Sequence, residues 1–119
     1  MIERGDKTDL TPSSALPGIS PAAVHPAMAD LVARLSELGA HRVILYGSRA
    51  RGDHTPRADI HLAVDAPQGL DIRAWDAMMQ AVENAQTLLE IDLVCLQETT
   101  GGFRENILKD GKVLNKGPQ

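Results

Sequence analysis

The chain has 119 residues, 12 of them Lys or Arg and 16 Asp or Glu, for a formal net charge of −4; this length suits one domain with a single core and is too short for two. The acidic balance and the three aromatic residues Tyr46, Trp75 and Phe103 count against non-specific nucleic-acid binding, which needs a basic groove and stacking platforms. No apolar run reaches the roughly 18 residues of a membrane span, MIERGDKTDL lacks the apolar core of a signal peptide, and the single Cys95 has no intrachain partner, so a soluble cytoplasmic protein with an inert core thiol is expected.

Residues 1–20 are rich in Gly, Pro, Ser, Thr and charge without apolar periodicity and read as a flexible arm, which leaves a domain over 21–116. Ser20-Pro21 supplies an N-cap and a first-turn proline; Val24, Met28, Leu31, Val32, Leu35 and Leu38 then recur at helical spacing until Gly39 stops the pattern. The run Val43-Ile44-Leu45-Tyr46 reads as a strand broken by Gly47-Ser48, and a polar turn carrying Arg49 and Arg51 follows. Asp59-Ile60-His61-Leu62-Ala63-Val64 alternates polar and apolar, as a strand with one wet face does. After a Pro67-Gln68-Gly69 turn, Ile72, Trp75, Met79 and Val82 predict one face of a helix over about 70–85, with Trp75 read as core in preference to a base-stacking ring. Leu88 to Leu96 reads as a third strand, apolar except for Glu90 and Asp92. Thr99-Thr100 caps a short helix carrying Phe103, Ile107 and Leu108, stopped by Gly111, and Val113-Leu114 adds a short edge strand. This order predicts an α/β (α+β) fold, a two-layer arrangement of helices packed on a small mixed sheet.

The chemistry is expected at the strand ends. A Gly-Ser pair closing a strand lets a phosphate approach the backbone and adds a hydroxyl hydrogen bond. Asp59 and His61 are two residues apart on a strand, hence about 7 Å apart on one face, and Asp92 joins them if the third strand lies beside the second. A carboxylate amid so much leucine costs several kcal/mol unless paired or metal-bound, which gives Asp92 a reason to serve as ligand. Three ligands beside a phosphate turn make a site for metal-assisted phosphoryl transfer.

Gly47-Ser48-Arg49-Ala50-Arg51-Gly52, then Asp59-Ile60-His61-Leu62, then Ile91-Asp92-Leu93 together resemble the minimal nucleotidyltransferases (MNT) of the polymerase-β superfamily, often encoded beside a HEPN-family partner. The resemblance covers about residue 24 to Leu114; the combined spacing is specific, whereas Gly-Ser alone is weak. It implies a nucleotidyltransferase fold, ATP as substrate with a divalent cation, Mg²⁺ or Mn²⁺, AMP transfer to a hydroxyl, and an antitoxin role towards a HEPN toxin, with a homo- or hetero-oligomer expected. By position it makes Gly47 and Ser48 the phosphate-binding pair, Asp59 the first metal carboxylate, Asp92 the third carboxylate and base, and Arg49 and Arg51 basic positions near the triphosphate; each arginine also reads as a solvated turn residue.

His61 departs from the pattern, standing where the family usually has its second aspartate. The site loses a negative charge, and magnesium prefers oxygen ligands, so the change reads either as a site retuned towards Mn²⁺ or Zn²⁺ or as decayed catalysis with the partner surface kept. Asp65 and Glu90 read as strand-end residues, Asp53 and His54 as loop residues, and His25 and His41 receive no role. Three functions compete: AMP transfer to a partner protein, a catalytically impaired antitoxin acting by complex formation, and a small-molecule nucleotidyltransferase, for which the sequence offers no acceptor-binding domain.

Overall fold

A computed structural model describes residues 16–114. The strands are β1 (Arg42–Tyr46), β2 (Ile60–Asp65), β3 (Ile91–Cys95) and β4 (Lys112–Val113); the helices are α1 (Pro21–Val24), α2 (Met28–Glu37), α3 (Ser48–Arg51), α4 (Ile72–Glu83) and α5 (Gly101–Asp110), with one 3₁₀ turn over Leu96–Glu98. The sheet runs β3-β2-β1-β4 and is mixed: β1 pairs antiparallel with β2 and β4, while β2 and β3 run parallel. A parallel pair needs a long crossover, and α4 provides it.

The strands alternate between two cores. Val43, Leu45, Ile60, Leu62, Val64 and Leu93 meet Met28, Leu31, Val32 and Leu35 of α2 and Met78 of α4 on one face. On the other, Ile44, Tyr46 and Ala63 meet Leu96, Ile107 and Val113. The predicted two-layer arrangement thus gains a partial third layer, because α5 folds back over the second face. Among the described residues no helix is long and apolar enough to cross a membrane.

Several predicted elements change in detail. The first helix is two, since Pro26 cannot donate to the helical ladder; the chain turns at His25, whose Nδ1 accepts from the Ala27 amide at 3.0 Å, and restarts at Met28. On α4 the buried residue is Met78, with Trp75, Met79 and Val82 partly buried around it, whereas Ile72 is 73% exposed in the first turn. Trp75 is therefore core, as its spacing suggests. The third strand is shorter than its apolar run, and Leu88 lies in the preceding loop fully exposed. Cys95 is a free thiol, partly buried against the first core.

Of the expected arm at 1–20, residues 1–15 lie outside the described residues. Gly18 forms a parallel bridge to Val113, the Ile19 amide donates to the Val113 carbonyl at 2.9 Å, and the Val113 amide to Pro17 at 2.8 Å. Gly111, the expected stop of α5, acts through lack of bulk: a Cβ there would lie 2.5 Å from the Ile107 carbonyl oxygen and 2.6 Å from Ile44 Cγ2.

Candidate functional site

The site is built where β1, β2 and β3 are in register. Tyr46 stands opposite His61 in the antiparallel pair, and His61 opposite Asp92 in the parallel one. Cross-strand partners point to the same face, so these three side chains form a row across the sheet on the α5 side. Asp59, immediately before β2 and two residues from His61, leans to the same face. One ligand atom each from Asp59, His61 and Asp92 lie within 4.8 Å of one another, and His61 Nδ1 is 3.4 Å from Asp92 Oδ2.

The turn after β1 shapes the row. Gly47 has φ 79° and ψ −156°, a region reserved almost wholly for glycine. A Cβ at this position would lie 3.2 Å from His61 Cδ2, so the missing side chain also clears a seat for the imidazole. Tyr46 packs beside that ring, centroids 5.4 Å apart, and Phe103 of α5 meets Tyr46 edge-on at 5.8 Å. Tyr46, His61, Asp92, Val94 and Phe103 line a cleft of about 410 Å³. Burial, and secondarily the carboxylate of Asp92, push the Tyr46 phenol above its usual value. Neither aromatic was singled out as a site residue from the sequence; the signal available was the position of Tyr46 directly before Gly47.

Gly47 also opens α3, its carbonyl accepting from the amides of Ala50 at 3.0 Å and Arg51 at 3.1 Å, and Ser48, the first residue of that helix, is partly buried. Arg49 folds over the following loop, donating from Nε to the Ala58 carbonyl at 3.0 Å and from Nη2 to Pro56 at 3.1 Å. Because Ala58 precedes Asp59, this arginine braces the segment that delivers the first carboxylate. Arg51 is exposed, 3.1 Å from Asp53 Oδ2 and 3.7 Å from Asp110 Oδ2.

One expectation is corrected. Asp92 does not sit buried among leucines: β3 is an edge strand and the Asp92 side chain is 51% exposed, so no desolvation penalty demands a metal. Among the described residues the buried carboxylate is Asp65, 5% exposed. It accepts from Arg42 Nε at 3.0 Å and Nη2 at 2.5 Å and from Gln97 Nε2 at 2.6 Å. Asp65 thus anchors the far end of β2 and stands outside the site. Glu90, exposed, contributes its carbonyl to the Ile60 amide, while Asp53 and His54 are exposed loop residues.

Two carboxylates and an imidazole, open to solvent and converging beside a cradle that a Cβ would fill, form a donor set that fits a divalent cation. No curated protein matches the chain. Among solved structures, a toxin–antitoxin complex with AMP-PNP is similar at 21% identity and TM-score 0.52, over 80% of this chain and 72% of that one. A mutant MntA–HpeT toxin–antitoxin complex is similar at 19% identity and TM-score 0.50, over 80% and 71%. A tri-AMPylated Shewanella oneidensis HEPN toxin with its MNT antitoxin gives 20% identity and TM-score 0.46, over 78% and 66%. Residues 34–117, a span that holds the Gly47-Ser48 turn and the converging side chains of Asp59, His61 and Asp92, match the family described as Polymerase beta, Nucleotidyltransferase, and to that family this chain belongs.

Proposed function

We propose that the chain transfers AMP from ATP to a hydroxyl of a partner protein, acting in the cytoplasm as the antitoxin in a complex with a HEPN-family toxin. The observation that carries this reading is the convergence of Asp59, His61 and Asp92 within 4.8 Å, where β2, the strand after the Gly47-Ser48 turn, lies beside β3. The shared fold with a toxin–antitoxin complex holding AMP-PNP supports ATP as the nucleotide and a toxin as the partner.

The residues divide the work. Gly47 leaves the backbone open to the triphosphate, and the Ser48 hydroxyl donates to a phosphate oxygen. Arg51, exposed beside the turn, adds positive charge for the phosphates, and Arg49 contributes charge while bracing the loop before Asp59. Asp59, His61 and Asp92 would hold a divalent cation, Mg²⁺ or Mn²⁺, which when bound would neutralise phosphate charge. Asp92, half exposed and reachable from the cleft, accepts the proton of the acceptor hydroxyl as its oxygen bonds to the α-phosphorus; the bond to the bridging oxygen breaks and pyrophosphate leaves.

Incubation with labelled ATP, Mn²⁺ or Mg²⁺ and the protein encoded beside it is expected to label that neighbour, and Asp92→Asn to lower the rate by about 10²-fold or more. An unlabelled neighbour, with Asp92→Asn behaving as the parent, rejects the reading. His61 in place of an aspartate favours one alternative, an antitoxin that neutralises by complex formation. That alternative predicts tight binding without ATP and protection unaffected by Asp59→Ala.

A further inference from the structure

Resting on the assignment of Asp59, His61 and Asp92 as the metal site, we infer that this cluster holds a single first-row transition-metal ion, Zn²⁺ or Mn²⁺, in preference to a pair of Mg²⁺ ions. The inference turns on what an imidazole can do that a carboxylate cannot, and the reverse. A carboxylate offers two oxygens on the same side and bridges two cations about 4 Å apart. The two nitrogens of an imidazole point away from each other across the ring, so His61 serves one ion and cannot bridge a pair, which leaves only the two carboxylates to do so. Charge acts in the same direction: two carboxylates balance one divalent ion, whereas a pair carries twice that charge. The donor type then selects the ion, since Mg²⁺ takes oxygen ligands in strict octahedral geometry, while imidazole suits Zn²⁺ best and is accepted by Mn²⁺ in a mixed nitrogen and oxygen set.

The structure makes His61 a held ligand. Its ring lies against Gly47, where a Cβ would come within 3.2 Å of Cδ2. Tyr46 sits beside it at 5.4 Å between centroids, and Nδ1 faces Asp92 Oδ2 at 3.4 Å. The side chain is 34% exposed, so solvent and phosphate oxygens reach the remaining coordination positions. A nitrogen seated by its neighbours beside two carboxylates is arranged for an ion that accepts mixed N and O ligands.

The test uses the full chain without an affinity tag, titrated with Zn²⁺, Mn²⁺ and Mg²⁺ alone by calorimetry or equilibrium dialysis. One equivalent of Zn²⁺ or Mn²⁺ is expected, bound about tenfold or more tightly than Mg²⁺, and pulsed EPR of the Mn²⁺-loaded protein is expected to show nitrogen modulation. In His61→Asp the modulation should vanish and the preference over Mg²⁺ should narrow by about tenfold. An ion that binds and is lost in Asp59→Ala, but shows no nitrogen modulation, overturns this inference and leaves the nucleotidyl-transfer reading standing. So does binding of two equivalents of Mg²⁺ by the unaltered protein. Absence of any ion, or binding indifferent to Asp59→Ala, overturns both. The EPR measurement on the unaltered chain decides the matter even where His61→Asp does not fold.

Discussion

Replacing Gly47 by alanine tests the turn and the row of side chains behind it together. Two costs are expected. The backbone at φ 79°, ψ −156° lies in a region that non-glycine residues enter at roughly 1–3 kcal/mol. The new Cβ also meets His61 Cδ2 at 3.2 Å, a contact that the imidazole relieves by giving way a few tenths of an ångström in its seat beside Asp92. A total near 2 kcal/mol corresponds to a fall in Tm of roughly 5–10 °C for a domain of this size. Chemical denaturation of Gly47→Ala, His61→Ala and the double variant separates the parts. The backbone cost persists without the imidazole, but the contact does not, so Gly47→Ala should be milder by about 0.5–1 kcal/mol in the His61→Ala background. Equal cost in both backgrounds refutes the seat, and a cost below about 0.5 kcal/mol in both refutes the strained turn.

Asp65→Asn is expected to destabilise by about 3 kcal/mol, measured by urea denaturation, because it removes the buried charge that Arg42 and Gln97 both bond. Gly111→Ala should cost about 1–3 kcal/mol on the same assay, since its Cβ meets the Ile107 carbonyl oxygen and Ile44 with no dihedral strain at φ −66°. Tyr46 is the one tyrosine in the chain, so tyrosinate absorbance reports it alone; its titration should lie above the usual phenol range, shift down in Asp92→Asn, and stay raised by burial. With the folded value above the unfolded one, the phenol contributes stability that is full below its unfolded value and lost as pH rises through the folded one, which places the loss in the alkaline range.

Much of this was legible in the sequence because the signals were local. The run from Val43 to Tyr46 ends at a glycine, and the alternation through Ile60, Leu62 and Val64 declares which face of β2 is buried. The spacing of Gly47-Ser48, Asp59 and Asp92 carried the family. What stayed hidden depended on partners remote in the chain. Nothing local announces that β3 is an edge strand, so Asp92 read as a costly buried acid when it is half exposed, and Asp65, read as a strand-end residue, does end β2 but is buried there. The exposure of Ile72 follows from where α4 begins to touch the sheet, which periodicity cannot supply. The guanidinium of Arg49, read as a phosphate contact or a solvated turn residue, bonds to the carbonyls of Pro56 and Ala58. Pro26, which lacks an amide proton, is a local signal that divides the first helix.

The parallel pairing of β2 with β3 has a thermodynamic corollary. Asp59 and His61 meet Asp92 only after the intervening chain has travelled out through α4 and returned to the sheet, so the cluster cannot preassemble within any short fragment. Whatever occupies it recognises the finished topology and not the coil, and the occupant's affinity is thereby linked to conformational stability by RT ln(1 + [L]/Kd). Loading the cluster to a hundred times its dissociation constant would raise the unfolding free energy of the whole domain by about 2.7 kcal/mol, making thermal melting a direct gauge of occupancy.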